Sequence, residues 1–102
     1  MKNVTVKKPP ELNLLIHEPA RLSIMATLAE VVAADFMFLA GITSLTRGNL
    51  STHLNKLVDA GYVSETKEFV NQKPRSEYRI TPEGRAAYQQ YLADWARLTG
   101  RK

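Results

Sequence analysis

Asn49, Thr52, Asn55 and Lys56 recur at helical spacing in the stretch TRGNLSTHLNKLVDAGYV, residues 46–63, with Ser51 and His53 at their flanks. Wrapped as a helix, the same stretch gathers Leu50, Leu54, Leu57 and Val58 on its other side, the spacing of a core-facing stripe. The polar side is built from short amides and hydroxyls, which donate and accept hydrogen bonds without charge. A surface helix more often presents Glu and Lys, stronger helix formers that also interact at i, i+4. Such a face suits a flat surface patterned with donors and acceptors, and the base edges of a DNA major groove are one. Asparagine can pair bidentately with adenine, and serine or threonine can donate or accept. Arg47 in the first turn can reach guanine or a phosphate, and Gly48 lets the backbone come close.

Other chemistries find no residues to carry them. Without cysteine there is no disulfide framework, thiolate nucleophile or thiolate metal site. His17 and His53 are the only histidines, against the three or four ligands zinc needs, so no metal or other cofactor is expected. Ser51 and His53 stand two apart on a helix and do not face each other. Paired carboxylates and a Gly-rich phosphate loop are also missing. An enzyme is not expected.

The composition is that of one globular domain: 102 residues, 44% hydrophobic, 24% charged, five Gly and five Pro. The longest apolar run, residues 36–42, has seven residues, against about 18 for a spanning helix, so no membrane partner is expected. The net charge of +4 permits an anionic partner, and the lack of cysteine fits a reducing cytoplasm. Residues 1–10, MKNVTVKKPP, read as a mobile basic arm without a signal-peptide core. Residues 11–98 read as the domain and 99–102 as a tail.

The elements that must position the polar face follow from periodicity. Leu12, Leu15 and Ile16 suggest a short first helix. Pro19 opens a second, preceded by Glu18 at its positive end, with Leu22, Met25, Leu28, Ala29 and Val32 as its core stripe. Residues 36–40 form a third and residues 46–60 the fourth, with Thr46 as its N-cap and Gly61 in the left-handed position after it. The period then changes to that of strands over 62–69 and 76–80, joined by VNQKPR as an exposed loop. Thr81-Pro82-Glu83 starts the last helix, which runs to about Leu98. The class is therefore mainly α with a small β-hairpin: helix, helix, helix, helix, strand, loop, strand, helix.

A short helix, a tight connection and a second helix make a helix-turn-helix, in which the second helix enters the major groove. The hairpin after it carries Lys67, Lys73, Arg75 and Arg79 against Glu68 and Glu77, a net of +2. Phosphate contacts from such a loop would add affinity and register.

The stretches HEPARLSIMATLAE, DFMFLAGITSLTRGNLSTHLNKLVDAGYV and KPRSEYRITPEGRAAYQQYL together resemble the winged helix-turn-helix transcriptional regulators of the MarR and ArsR kind. The likeness is greatest to short, stand-alone members, and it spans most of residues 17–92. It implies a recognition helix over 46–56 and a wing over 69–75. On that basis the DNA-binding residues are expected to be Thr46, Arg47, Asn49, Ser51, Thr52, His53, Asn55, Lys56, Gln72, Lys73 and Arg75. The partner is double-stranded DNA; no effector ligand is assigned.

Regulators of this sort usually bind as dimers, with half-sites about one helical turn apart. The aromatic last helix offers a contact, since Tyr and Trp bury large area and still satisfy a polar tip. A two-fold homodimer is expected in which Tyr88, Tyr91, Leu92, Trp95 and Leu98 meet Leu12, Leu15 and Ile16 of a second copy. The competing reading is a winged-helix protein–protein adaptor that binds no DNA. Its recognition face would be apolar or acidic, whereas here Asp59 is the only acid and lies near the far end. RNA binding would call for exposed aromatics to stack on unpaired bases.

Overall fold

Local capping starts each of the described helices. Glu18 accepts a bond from the Arg21 amide at 2.8 Å and begins helix α1, Pro19–Glu30, with proline in its first turn. After strand β1, Ala34–Asp35, the Asp35 carboxylate takes the Phe38 amide at 2.8 Å and starts α2, Phe36–Thr43. Thr46 caps α3, Arg47–Asp59, through the Asn49 amide at 3.2 Å. Strands β2, Val63–Val70, and β3, Lys73–Ile80, follow, and Thr81 caps α4, Pro82–Thr99, through the Gly84 amide at 2.9 Å. These assignments come from a computed structural model that describes residues 10–100. The basic arm read for residues 1–10 lies outside the described residues except for Pro10, as does the end of the tail.

The architecture is the α+β winged helix expected, four helices with a three-stranded antiparallel sheet in the order β1-β3-β2. One core cluster joins Ile24, Met25 and Leu28 of α1, Leu39 of α2, the Leu50, Leu54 and Leu57 stripe of α3, Val63, Tyr78 and Tyr91.

The predicted first helix is instead a single turn. The Asn13 side chain accepts from the amides of Leu15 and Ile16 at 3.0 and 3.3 Å, an Asx turn that competes with helix propagation. The α1 stripe also ends earlier than the sequence suggests. Val31 is already extended, so Val32 leaves the helix and is 83% exposed.

The expected six-residue hairpin loop closes to two residues. Val70 pairs with Lys73, and Asn71 and Gln72 between them both have positive φ, 52° and 64°, the type I′ geometry that matches strand twist. Pro74 signals a loop in the sequence, yet it sits in β3 opposite Phe69. In a hairpin with a two-residue turn that second pair is the one without ladder bonds, so the nitrogen of Pro74 faces outward. β1 pairs with β3 only at Tyr78 and Glu77, which leaves that edge open beside Pro74.

The second and third of the stretches that carry the resemblance meet at one joint. After α3, Tyr62 and Gly61 donate back to Leu57 and Val58 at 3.0 and 2.9 Å, a Schellman turn with Gly61 at φ 82°. Thr81 closes on it, donating through its hydroxyl to the Gly61 carbonyl at 2.6 Å and through its amide to Tyr62 at 3.0 Å. At Gly84 a Cβ would stand 2.0 Å from the Tyr62 carbonyl oxygen. Only glycine lets α4 start against that corner.

Candidate nucleic-acid interface

The leucine stripe of α3 is sealed in the core, which turns the opposite face outward by the helical period alone. Thr46, Arg47, Gly48, Asn49, Ser51, Thr52, Asn55 and Lys56 are all exposed. Among the described residues, the side chains of Asn49, Ser51 and Asn55 form no hydrogen bond and Lys56 forms no ion pair. Helix α3 has 13 residues, roughly 20 Å at 1.5 Å each, and presents a row of unoccupied donors and acceptors along that length.

Three of the expected residues on this helix are already engaged within the fold. Thr46 is spent on the cap. The Thr52 hydroxyl donates to the Gly48 carbonyl at 3.0 Å, so toward any ligand it offers acceptor lone pairs and a methyl group. His53 departs from the exposed face: its side chain is 20% exposed and its Nδ1 lies 3.0 Å from an Arg21 guanidinium nitrogen. Arginine can only donate, so Nδ1 accepts. Glu18, at 3.8 Å, completes a polar cluster that ties α3 to the start of α1. Spacing within the helix could not reveal this, because Arg21 stands 32 positions away.

In the hairpin, Gln72 and Lys73 are exposed at the tip, and Lys67 and Lys73 make no ion pair among the described residues. Arg75 is different. Its guanidinium binds the Asp35 carboxylate, whose other oxygen caps α2. The bond to Arg75 and then the Phe38 amide hold the Asp35 carboxyl below its ordinary value of 3.8. The pair fastens the hairpin to the start of α2 and so orients it beside α3. Arg79 stands at the base of the hairpin opposite Ser64, bonded to Glu77 at 2.7 Å, rather than at the tip. Between hairpin and helices lies a cleft lined by Asp35, Met37, Arg47, Lys73 and Pro74, with Arg47 Nη2 3.3 Å from the Met37 sulfur.

The residues expected at a dimer contact divide. Ile16 and Tyr91 are 0% and 3% exposed within their own subunit, which corrects their assignment: both are core, Tyr91 with its hydroxyl 2.8 Å from His17 Nδ1. Leu12, Leu15 and Tyr88 are half-buried against the same core. Leu92, Trp95 and Leu98 remain 44%, 41% and 44% exposed. Tyr88, Leu92 and Trp95 border an apolar groove completed by His17, Pro19 and Leu22, and the His17 ring leans on Trp95 with centroids 5.8 Å apart. Met37, Phe38 and Ile42 of α2 and Phe69 of β2, none of them among the expected site residues, are 60%, 47%, 52% and 76% exposed. An unbroken apolar run in so short a helix was the available signal, since a helix buries only one side.

No described helix is long and apolar enough to cross a membrane, and no metal-binding group of His, Asp or Glu occurs among the described residues.

Residues 20–98 match the family described as winged helix DNA-binding domain. The chain is 29% identical over 85 residues to an uncharacterized protein of Methanocaldococcus jannaschii, which covers 83% of this chain and 92% of that one. Its structure is similar to the transcriptional regulator homologue protein of Pyrococcus horikoshii OT3, with 28% identity, 85% and 86% of the two chains covered and a TM-score of 0.79. It is also similar to a protein of Enterococcus faecalis V583 described as a MarR-family transcriptional regulator, with 27% identity, 85% and 80% coverage and a TM-score of 0.69.

Proposed function

Because the chain belongs to the winged helix DNA-binding domain family, we propose that it is a sequence-specific double-stranded DNA-binding transcriptional regulator acting as a homodimer. Helix α3 enters the major groove, where Asn49, Ser51, Thr52 and Asn55 meet base edges and Arg47 reaches guanine or the adjacent phosphate. The hairpin is the wing, and Lys73 and Gln72 at its tip lie along the flanking backbone and minor groove. The observation that carries this reading is the exposed α3 face, where the side-chain amides of Asn49 and Asn55 and the Ser51 hydroxyl have no partner among the described residues. Two copies join through Leu92, Trp95 and Leu98, which supports paired half-sites.

Selection from random duplexes, followed by sequencing, tests the reading. The expected product is an enriched motif with two-fold symmetry and half-sites about ten base pairs apart; an unenriched pool sinks the proposal. On the selected duplex, Asn49→Ala should cost about 1–3 kcal/mol while leaving random DNA almost unaffected. Lys73→Ala should weaken both and lower the log–log salt slope by about one. The exposed apolar side of α2, Met37, Phe38 and Ile42, favours the second reading, a protein–protein adaptor. Under that reading the selection fails and substitutions on α3 change nothing.

A further inference from the structure

Phe69 is left in water at the far end of the hairpin, 76% exposed, where folding has no use for it. Its cross-strand neighbour is Pro74, also exposed, and its ring enters no aromatic contact among the described residues. An aromatic ring in solvent forgoes one of the larger hydrophobic gains open to any side chain. Lys67, two positions before Phe69 on the same face, is unpaired among the described residues, as is Lys73 at the turn. Glu68, the acid at this end, faces the other side of the hairpin opposite Arg75, the side that Lys73 shares through its pairing with Val70. At the apex, Gln72 is held at φ 64°, a region glycine occupies without strain. A long amide is kept there although the turn would relax without it.

An apolar ring with one ammonium group on its own face and a second at the adjoining turn, on a finger two strands wide, fits a narrow anionic slot with an apolar floor. A duplex minor groove has that character once a base step opens. Proteins that bend DNA from this side insert Phe, Leu, Ile, Met or Pro between bases. Pyrimidine–purine steps unstack most readily. An anionic membrane would attract the same charges, but anchoring to it takes a larger apolar face than one ring.

We propose that Phe69 is an apolar wedge: it enters the minor groove beside the half-site read by α3, parts one base step and bends the duplex. The wing thereby selects steps that open easily. This rests on the DNA-binding reading above and adds to it a residue and a deformation.

The test uses the full chain and the selected duplex, with a donor–acceptor pair at its ends and 2-aminopurine at the step under the wing. Binding of the parent should raise energy transfer and brighten the 2-aminopurine. Phe69→Leu should keep most of both signals. Phe69→Ala should leave the duplex straight and bind about tenfold more weakly, with an unchanged melting temperature because the ring is solvent-exposed. On a duplex whose wing step is replaced by a stiff A-tract, the parent should fall to the level of Phe69→Ala. If Phe69→Ala bends and binds as the parent does while Asn49→Ala still loses affinity, the wedge is wrong and the α3 reading stands. Phe69-dependent binding to phosphatidylserine vesicles with no duplex bending would assign the tip to a membrane and overturn the proposal. A parent that selects no duplex removes both readings at once.

Discussion

Gly48 stands in the first turn of α3 with nothing within 4 Å of where a Cβ would be, and its φ is not positive. Folding therefore has no need of glycine there. Alanine is favoured in an exposed helix by up to about 1 kcal/mol. Gly48→Ala should shift the urea midpoint upward and, by holding the backbone off the bases, weaken binding to the selected duplex. A variant that is more stable and binds unchanged would remove close approach at this residue. Most of the α3 face was legible from the sequence, because the buried leucine stripe dictates which positions look outward. His53 was not, since its place depends on Arg21 and Glu18, which only packing brings near. Thr52 was half legible: its exposure follows from spacing, whereas the back-bond to Gly48 that leaves it an acceptor is a local geometric detail.

Between elements, the wing is held by Asp35 and Arg75 and the last helix by Gly84. Asp35 has a lowered folded-state pKa, first through Arg75 and then through the Phe38 amide. Its contribution is therefore present above its ordinary value of 3.8 and lost as pH falls through the lower folded value. Both side chains are partly exposed, 23% and 51%, so salt should shrink the effect. Denaturation midpoints of the parent should decline below about pH 4, and Asp35→Asn should flatten that decline while loosening the wing. An identical acid limb in the two proteins would show the pair to be inert. Gly84→Ala drives a methyl into the Tyr62 backbone. It should destabilise by about 3 kcal/mol or more, read from chemical denaturation, whereas Ala86→Gly two residues on should cost about 1. The helix starts at Thr46 and Thr81 were visible in the sequence as cap residues. The two-residue β1 and the tight Asn71–Gln72 turn were not, because β1 exists only by pairing with β3 and the turn lacks its usual glycine.

For the whole molecule, the last helix divides into a side used in folding and a side to which the dimer proposal assigns assembly. Tyr91 is core and touches His17, while Leu92, Trp95 and Leu98 look outward. Trp95→Ala should leave the subunit folded but lower the sedimenting mass from dimer to monomer at micromolar concentration. Tyr91→Ala should instead destabilise the subunit itself by about 3 kcal/mol. Equal masses for the parent and Trp95→Ala would remove the dimer contact proposed here. With dimerisation lost, affinity for the two-half-site duplex should fall steeply, because the second half-site no longer binds as part of one complex.

What the residues determine by themselves is local. Thr46 and Thr81 as caps, Pro19 and Pro82 in first turns, Gly61 after α3 and the leucine period all act within a few positions, so the chain order carries them directly. Tertiary structure alone decided which distant groups meet. Asn13 reaches the Tyr62 hydroxyl 49 positions away, Asp35 takes Arg75 at 40, and His17 meets Tyr91 at 74. Such pairs form only when packing of the apolar faces has set the elements against one another, since that packing, not chain order, brings residues this far apart together.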